Sequence, residues 1–250
     1  MKVFGIDFYK GDQRDLIRAI KGDVNKPFGY VVTANVNHVV LLEDSPPFRN
    51  AYDGAAYRIC DSRVLMPALR KFDAGVPEAI PGSTLTVSMM DEAQREGWTV
   101  TVVGSTPDVV EILTQRYPAV TFLHYNPPMG FIDNPAEVEA TLQFVEQHRA
   151  QLLIMSVGSP RQELLCKLIA DRGRTHGVGL CTGAALNFLS GKVQRAPMWV
   201  QKLSLEWLHR ILSEPSRLAG RYWNDGRRIL PIILRQRSQQ RQYAQQRDKP

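Results

Sequence analysis

The segment "VGSPRQELL", residues 157–165, places Arg161, Gln162 and Glu163 where an apolar run ends and a helix is expected to begin. The first turn of a helix has free backbone N–H groups that can face a ligand. An amide donates and accepts hydrogen bonds, and a carboxylate suits the positive end of the helix dipole. Gln162 and Glu163 are therefore candidates for substrate binding, although a solvated first turn of an ordinary helix would explain them equally well.

Asp61 is the second candidate for chemistry, because it directly follows the apolar run "YRIC" at 57–60. A carboxylate that is partly buried at the mouth of a strand is suited to act as a general base. An alternative remains open, because Asp61-Ser62 before "RVLMPALRKF" is also a good N-cap for the following helix.

Two further segments carry polar residues after apolar runs. Thr33 and Asn35 could bind sugar hydroxyls or phosphate, or they could cap a helix that begins near Asn37. Gly104 and Ser105 begin a Gly-Ser-Thr-Pro turn whose backbone N–H groups could hold an anion. This turn has neither the GxGxxG spacing nor a P-loop lysine, so it reads first as a helix cap and second as a nucleotide contact.

The elements that must position these residues follow a regular pattern in which short apolar runs alternate with amphipathic stretches. This alternation predicts an α/β fold with a Rossmann-like, mostly parallel sheet and flanking helices. A fifth polar segment, Thr182-Gly183-Ala184, ends the run at 177–183. Ligands of such folds bind beyond the carboxyl ends of the strands, so these five polar strand exits predict one cleft. The predicted strands are 3–8, 30–36, 57–60, 99–104, 120–125, 152–158 and 177–183, and the predicted helices are 16–21, 85–96, 108–117, 138–148 and 162–172.

The pattern of strands stops after Gly191, which predicts a catalytic domain over residues 1–194 and a helical appendage over residues 195–250. We expect two or three amphipathic helices there, broken at Pro197, Pro215 and Pro231. The last dozen residues are rich in Gln and Arg without an apolar face, which is typical of a disordered end.

The net charge of +6 is distributed unevenly. Residues 192–250 carry 13 Lys and Arg against 4 Asp and Glu, whereas residues 1–191 carry 18 against 21. A basic segment on a mildly acidic body points to an anionic partner. Its mixture of Trp, Leu and Arg favours a helix lying in a membrane interface, and the absence of any recognised nucleic-acid-binding motif argues against DNA or RNA.

Other classes of protein are disfavoured by simpler observations. No stretch approaches 18 consecutive apolar residues and residues 1–10 have no secretory signal pattern, so we expect a cytoplasmic protein without a membrane span. The three cysteines stand singly and the five histidines lack metal-binding spacing, so we expect no disulfide, no metal and no cofactor. The chain also lacks an Asp-x-Asp motif.

Taken in order, these segments resemble the WecG/TagA/CpsF family of glycosyltransferases, also called glycosyltransferase family twenty-six, from about Val31 to Tyr222. The last three of its motifs are specific in combination. The segments that carry the resemblance are "TANVNHV" (33–39), "ICDS" (59–62), "VVGSTPDVVE" (102–111), "SVGSPRQE" (156–163), "TGAALNFLSGKVQRAPMW" (182–199) and "LEWLHRILSEPSR" (205–217).

The resemblance implies metal-independent, inverting transfer of a hexose-type sugar from a UDP-sugar to a polyprenyl-diphosphate-linked sugar at the cytoplasmic face of a bacterial membrane. It implies that Asp61 is the general base, that Thr33 and Asn35 line the pocket, and that Gln162 contacts substrate. It maps the arginines that meet the donor diphosphate onto Arg210 and Arg217. The full set of candidate substrate-binding arginines is Arg195, Arg210, Arg217 and Arg221, and whether the chain forms a homo-oligomer is left open.

This chain departs from the family pattern at three places. It has Asp61-Ser62-Arg63 where many relatives have Asp-Gly, Gly82-Ser83-Thr84-Leu85 where Gly-x-Asp-Leu is usual, and Gly220 in place of an arginine, whose role Arg221 would take.

Two other functions remain as alternatives. A nicotinamide-dependent oxidoreductase is disfavoured because no strand exit has the glycine fingerprint. A non-catalytic membrane-interaction protein would tolerate any change at Asp61.

Overall fold

The computed structural model describes residues 2–194, 196–197, 200 and 205–247, with the side chains at 210, 217, 241 and 243–247 outside the description. Six parallel strands form one sheet in the order β2-β1-β6-β5-β3-β4. The predicted Rossmann-like α/β fold is thus confirmed. The strands are β1 Gly29–Ala34, β2 Tyr57–Cys60, β3 Thr99–Gly104, β4 Thr121–Tyr125, β5 Leu152–Ser156 and β6 Val178–Cys181.

Helices cover both faces of the sheet, and the five helices predicted from periodicity in the body of the chain are present. The helices, in chain order, are α1 Gln13–Asp23, α2 Val36–Asp44, α3 Pro46–Asp53, α4 Met66–Lys71, α5 Gly82–Glu96, α6 Pro107–Arg116, the 3-10 turn η1 Phe131–Asp133, α7 Pro135–Gln147, α8 Arg161–Arg172, α9 Ala185–Leu189, α10 Glu206–Ser213 and α11 Pro215–Arg247. Helices α2, α3, α7 and α8 pack together on one side, and α1, α5, α6 and α9 on the other.

Two hydrophobic cores follow from this layering, because successive strand side chains point to opposite faces. In β1, Tyr30 and Val32 belong to the core beneath α3 and α8. Val31, between them, belongs to the core beneath α5 and α6. A strand that is buried on both faces reads as a continuous apolar run, which is why these strands could be found in the sequence.

The first apolar run, residues 3–8, was predicted as a strand, and this prediction is wrong. Val3 and Ile6 exchange backbone hydrogen bonds of 2.9 Å across a tight turn. Phe4 and Gly5 in that turn have φ values of +54° and +75°, which no extended strand contains. Burial of Phe8 and its neighbours explains the apolar run without strand pairing.

The C-terminal segment contains fewer breaks than its prolines suggest. Pro215 begins α11, but Pro231 lies inside it and the helix continues to Arg247. Pro lacks the N–H for one helical bond. Here ion pairs hold the helix to α2 on both sides of Pro231, between Arg228 and Asp44 and between Arg235 and Glu43. The residues expected to be disordered are helical as far as 247.

Further contacts fix α11 against the body of the protein. Ile232 is buried in the core shared with α2. The Gln236 side chain accepts a 2.9 Å hydrogen bond from the Phe4 backbone N–H. Gln240 donates a 2.8 Å bond to the carbonyl of Phe72. Helix α11 therefore packs on the sheet domain, and the predicted domain division at residue 195 stays a prediction.

None of the helices in the described ranges combines the length and the apolar character that crossing a bilayer would require.

Substitutions in α11 will test this packing. Ile232 is 6% exposed, whereas Leu234 on the same helix is 56% exposed. Ile232→Ala is expected to lower the free energy of unfolding by about 2 to 5 kcal/mol, because it empties a buried site. Leu234→Ala is the matched control and should change it by less than about 0.5 kcal/mol. Chemical denaturation of both variants measures the difference, and equal effects would contradict the packing.

Candidate active site

The sheet order places the predicted strand exits side by side. At the carboxyl edge, β2, β1, β6, β5 and β3 are consecutive neighbours. Asp61 follows β2 and Ser105 follows β3, so four strand intervals separate them. With roughly 4.8 Å between strands, this is a distance of about 19 Å. The candidate site is therefore an elongated edge, with Asp61 near one end and the Gly104–Ser105 turn near the other.

Asp61 caps a helix, but not the helix that follows it in sequence. Its Oδ1 accepts a 2.6 Å hydrogen bond from the backbone N–H of Gly82, the first residue of α5. The N-cap of α5 is Pro81, which has no side-chain acceptor of its own. Helix α4 begins only at Met66, without a side-chain cap, so the expectation that Asp61 caps the next helix is wrong. A carboxylate at this place also suits the α5 dipole.

Gly82 is packed closely between two neighbouring strand exits. A Cβ atom there would lie 3.2 Å from the methyl groups of both Thr33 and Thr182. The hydroxyl of Thr86, one turn further along α5, lies 2.9 Å from the Gly82 carbonyl and 3.0 Å from the Thr182 hydroxyl. The sequence placed Thr182 in a polar strand exit, but Thr86 and the contact between the two were missed, because nothing local marks a threonine that meets a distant segment.

The two polar residues of the β1 exit have structural partners. Thr33 is buried, and its hydroxyl donates a 3.0 Å bond to the carbonyl of Cys181 at the end of β6. Asn35 caps α2, accepting a 3.1 Å bond from the His38 N–H. Its capping alternative is therefore confirmed, with the helix beginning at Val36. Contact of either residue with substrate stays a prediction.

Gln162 and Glu163 form a buried pair at the start of α8. Gln162 is 3% exposed and Glu163 is fully buried, so a solvated first turn does not explain them. The Gln162 Oε1 accepts a 3.0 Å bond from the Gly183 N–H, and its Nε2 donates a 2.8 Å bond to Glu163 Oε1. The pair thus joins the exit of β6 to the N-terminus of α8.

Burial raises the pKa of Glu163 to about 7, while the hydrogen bond from Gln162 and the nearby hydroxyl of Ser159 oppose the rise. The Glu163 Oε2 and the Ser159 Oγ are buried and make no well-formed hydrogen bond within the described part of the chain. The hydroxyls of Ser105 and Ser156, on the neighbouring exits, share this state. Buried polar atoms of this kind gather at the β3 and β5 exits.

The Gly104–Ser105 turn needs its glycine. Gly104 has φ +86°, and a Cβ atom would lie 2.8 Å from a methyl of Val157. Ser105 also has a positive φ, +70°. Helix α6 begins at Pro107, and the side chain at its N-cap, Thr106, makes no capping bond. The turn therefore leads into a helix, as predicted, but without the expected side-chain cap.

Beside the β1 exit, α11 meets the start of α2. Asp225 is buried and accepts a 3.0 Å bond from Asn37. Burial raises the pKa of Asp225, opposed by the Asn37 bond and by the charges of Arg221 and Arg228. Arg221 therefore lies close to the N-terminus of α2, with its guanidinium 5.2 Å from the Tyr222 ring centre.

A buried histidine, His38, lies in the first turn of α2, beside this contact with α11. The Nδ1 of His38 is 2.6 Å from the hydroxyl of Tyr52. Burial lowers the pKa of His38 to about 3, and the positive charge of Arg221 adds to the effect. His38 is therefore neutral at physiological pH. The sequence analysis assigned no ligand role to the histidines, and His38 has a structural one, buried against Tyr52.

The other arginines predicted to bind substrate fall wholly or partly outside the description. Arg195 lies outside the described residues. Arg210 and Arg217 occupy α10 and α11, but their side chains lie outside the description.

A groove of about 350 Å³ lies between α2 and α11, lined partly by Arg227 and Arg228, rather than over the strand exits. No group of three or more His, Cys, Asp or Glu side chains is placed to hold a metal ion in the described ranges.

The buried Glu163 predicts a pH dependence of stability. Between its ordinary pKa of 4.5 and its folded value of about 7, the native state binds more protons than the unfolded state, so stability falls as pH rises through this range. Glu163→Gln removes this dependence and still accepts from Gln162. Relative to wild type, the variant should gain on the order of 3 kcal/mol across the range.

Urea unfolding at several pH values between about 4 and 8 measures this gain as the difference between the two curves. His38 is the same in both proteins, so its own titration cancels. Glu111→Gln, which changes an exposed carboxylate on α6, is the matched control and should run parallel to wild type. If the free energy of unfolding of Glu163→Gln also changes with pH in parallel with wild type, the carboxyl group is not buried in its neutral form.

Comparison with known proteins identifies the family of this chain. A family model described as the glycosyl transferase WecG/TagA/CpsF family matches residues 1–243. The match confirms the resemblance noted from Val31 to Tyr222 and extends it in both directions, to residue 1 and to residue 243 within α11. The chain therefore belongs to the WecG/TagA/CpsF family of glycosyltransferases, which implies a sugar-transferring enzyme of cell-surface polysaccharide synthesis.

Proposed function

We propose that this enzyme is an inverting, metal-independent hexosyltransferase. It transfers a hexose-type sugar from a UDP-sugar to a polyprenyl-diphosphate-linked sugar acceptor, in bacterial surface polysaccharide or exopolysaccharide assembly. The observation that carries the proposal is the Asp61 carboxylate, which a backbone N–H of the α5 N-terminus orients at the edge of a parallel sheet. Family membership supports sugar transfer at this edge.

In the proposed reaction, Asp61 accepts the proton of the attacking acceptor hydroxyl. The acceptor oxygen forms a bond to the anomeric carbon while the bond from that carbon to the UDP phosphate oxygen breaks, so one in-line displacement inverts the configuration. A carboxylate has more than one acceptor site on each oxygen, so it can accept the bond from Gly82 and also take up this proton. The bond also fixes the direction in which the carboxylate points.

Arginines are proposed to stabilise the negative charge that develops on UDP. Guanidinium groups bind phosphate oxygens bidentately, and they do so without a metal ion. Arg221 supports this role through its place beside the start of α2, next to the β1 exit. Arg195, Arg210 and Arg217 are kept as further candidates on the sequence match alone.

The remaining candidate residues are proposed to shape the donor pocket along the strand exits. Gln162 uses one of its two Nε2 hydrogens on Glu163, and we assign the other to a substrate hydroxyl. The Gly104–Ser105 turn is assigned to the donor nucleotide, at the far end of the edge from Asp61. Thr33 and Asn35 form the wall of the pocket near β1.

The acceptor is proposed to reach the site from a membrane surface. Helix α11 exposes Trp223, Leu230 and Leu234, and α10 exposes Leu212. Exposed aromatic and aliphatic side chains near exposed arginines, such as Arg227, are typical of helices that lie in a membrane interface. This supports a peripheral location at the cytoplasmic face, where basic residues near anionic lipid each contribute about 1 kcal/mol.

Replacing the proposed base tests the reaction. Asp61→Asn is expected to lower acceptor-dependent UDP release by a factor of about 10² to 10⁴, because a general base is lost. The assay uses synthetic polyprenyl-diphosphate-sugar acceptors and a panel of UDP-sugars with EDTA present. Wild-type release should survive EDTA, and Asp53→Asn, an exposed carboxylate on α3, should behave as wild type. Equal release from Asp61→Asn and wild type would reject Asp61 as the base.

A second substitution tests Arg221, whose charge acts on His38 at the start of α2. Arg221→Gln is expected to raise the KM for the UDP-sugar roughly tenfold or more, because a charged hydrogen bond to the diphosphate is lost. Arg237→Gln, an exposed arginine further along the same helix, is the matched control and should leave KM unchanged. Steady-state kinetics at fixed acceptor concentration measure both. An unchanged KM in Arg221→Gln would assign the diphosphate to other arginines.

A further inference from the structure

A chain of hydrogen bonds connects the proposed base to two threonines, Thr86 and Thr182, to which the sequence analysis gives no role. The chain begins at Asp61, whose Oδ1 accepts from the Gly82 N–H at 2.6 Å. It continues from the Gly82 carbonyl to the Thr86 hydroxyl at 2.9 Å and from there to the Thr182 hydroxyl at 3.0 Å. Both backbone groups of Gly82, its N–H and its carbonyl, are therefore hydrogen-bonded.

The direction of these bonds follows from the chemistry of the groups. A hydroxyl has one hydrogen to donate, and a carbonyl can only accept. The pattern that satisfies both contacts has Thr86 donating to the Gly82 carbonyl and Thr182 donating to Thr86. Thr86 is fully buried, so water cannot replace either partner without cost.

Thr182 is itself held on both sides. The carbonyl of Cys181 accepts a 3.0 Å bond from the Thr33 hydroxyl, and the N–H of Gly183 donates a 3.0 Å bond to Gln162. These bonds fix the backbone of residues 181–183 against β1 and α8. Thr182 is therefore a fixed point from which the start of α5 can be located.

Packing limits movement of the same helix end. The Cα of Gly82 lies so close to the methyl groups of Thr33 and Thr182 that an added Cβ would be 3.2 Å from each. Contact with the two methyl groups limits sideways displacement, and the hydroxyl bonds limit displacement and rotation of the first turn. Together they determine where the Gly82 N–H points.

We propose that Thr86 and Thr182 are positioning residues for the general base. They place the first turn of α5 so that the Gly82 N–H meets the Asp61 carboxylate. This inference rests on the proposed function, because it takes Asp61 as the base. Neither threonine touches the reacting atoms, but a misplacement of about 1 Å at a reacting group costs about a hundredfold in rate.

The test replaces each hydroxyl by a methyl group of the same shape. Thr182→Val and Thr86→Val are expected to lower kcat by about tenfold to a hundredfold while the KM for the UDP-sugar changes less than about twofold. The acidic limb of the pH profile of kcat/KM should move to higher pH, because the carboxylate loses a well-aimed donor. Thr182→Ser keeps the hydroxyl and should retain most of the wild-type kcat and the wild-type pH profile.

Several outcomes would overturn the inference. A Thr182→Val enzyme with wild-type kcat and pH profile shows that the hydroxyl is dispensable. A Thr182→Ser enzyme that is impaired while Thr182→Val is not shows that methyl packing, not the hydroxyl, matters, because Ser keeps the hydroxyl and Val keeps the methyl group. Thermal unfolding of each variant separates these results from loss of the fold, and a Thr182→Val enzyme that is slow only because it unfolds counts against a positioning role.

A double-mutant cycle separates this inference from the proposed function. In the Asp61→Asn background, Thr182→Val should cause no further loss of the residual rate, because its effect passes through Asp61. If Thr182→Val lowers the rate of the Asp61→Asn enzyme as much as it lowers the wild-type rate, Thr182 acts through a group other than Asp61. If Asp61→Asn itself retains wild-type turnover, the proposed function and this inference both fail, whereas an inactive Asp61→Asn with a normal Thr182→Val rejects this inference alone.

Discussion

The rest of the site depends on the fit of one helix end against the carboxyl edge of the sheet. Helix α5 enters this edge at Gly82, where the exits of β1 and β6 leave little space for a side chain. Its N-cap is a proline, so the first turn takes its acceptor from Asp61, in the loop that follows β2. One contact thereby serves two purposes, because it satisfies a free helical N–H and orients a carboxylate. In many enzymes a fixed direction matters as much as the identity of the group.

The same edge contains an unusual amount of buried polarity. The Gln162–Glu163 pair and the hydroxyls of Ser105, Ser156 and Ser159 lie at adjacent exits, several of them without a well-formed partner. Buried polar groups cost free energy when they are not satisfied, so a fold that keeps them at one place usually has a reason connected with its function. In this protein they lie where ligands of open parallel sheets bind.

Helix α11, which forms most of the basic C-terminal segment, packs against the protein beside this edge. From Asp225 onward it is attached to α2 by a buried hydrogen bond, by ion pairs and by an apolar contact at Ile232. Its exposed side carries Trp223 and Leu230. One helix thus combines a packed face and an exposed apolar face, and it brings Arg221 close to the start of α2.

The sequence by itself determined the α/β class, six of the seven proposed strands and the set of polar strand exits, because period and composition are local properties of the chain. It failed at residues 3–8 and at Pro231, where a tight turn and contacts with α2 outweigh local preference. Only the tertiary structure decided that Asp61 caps α5, and that Thr86 and Thr182 meet beside Gly82. These contacts join residues up to 96 positions apart, so they depend on the strand order, which no local pattern specifies.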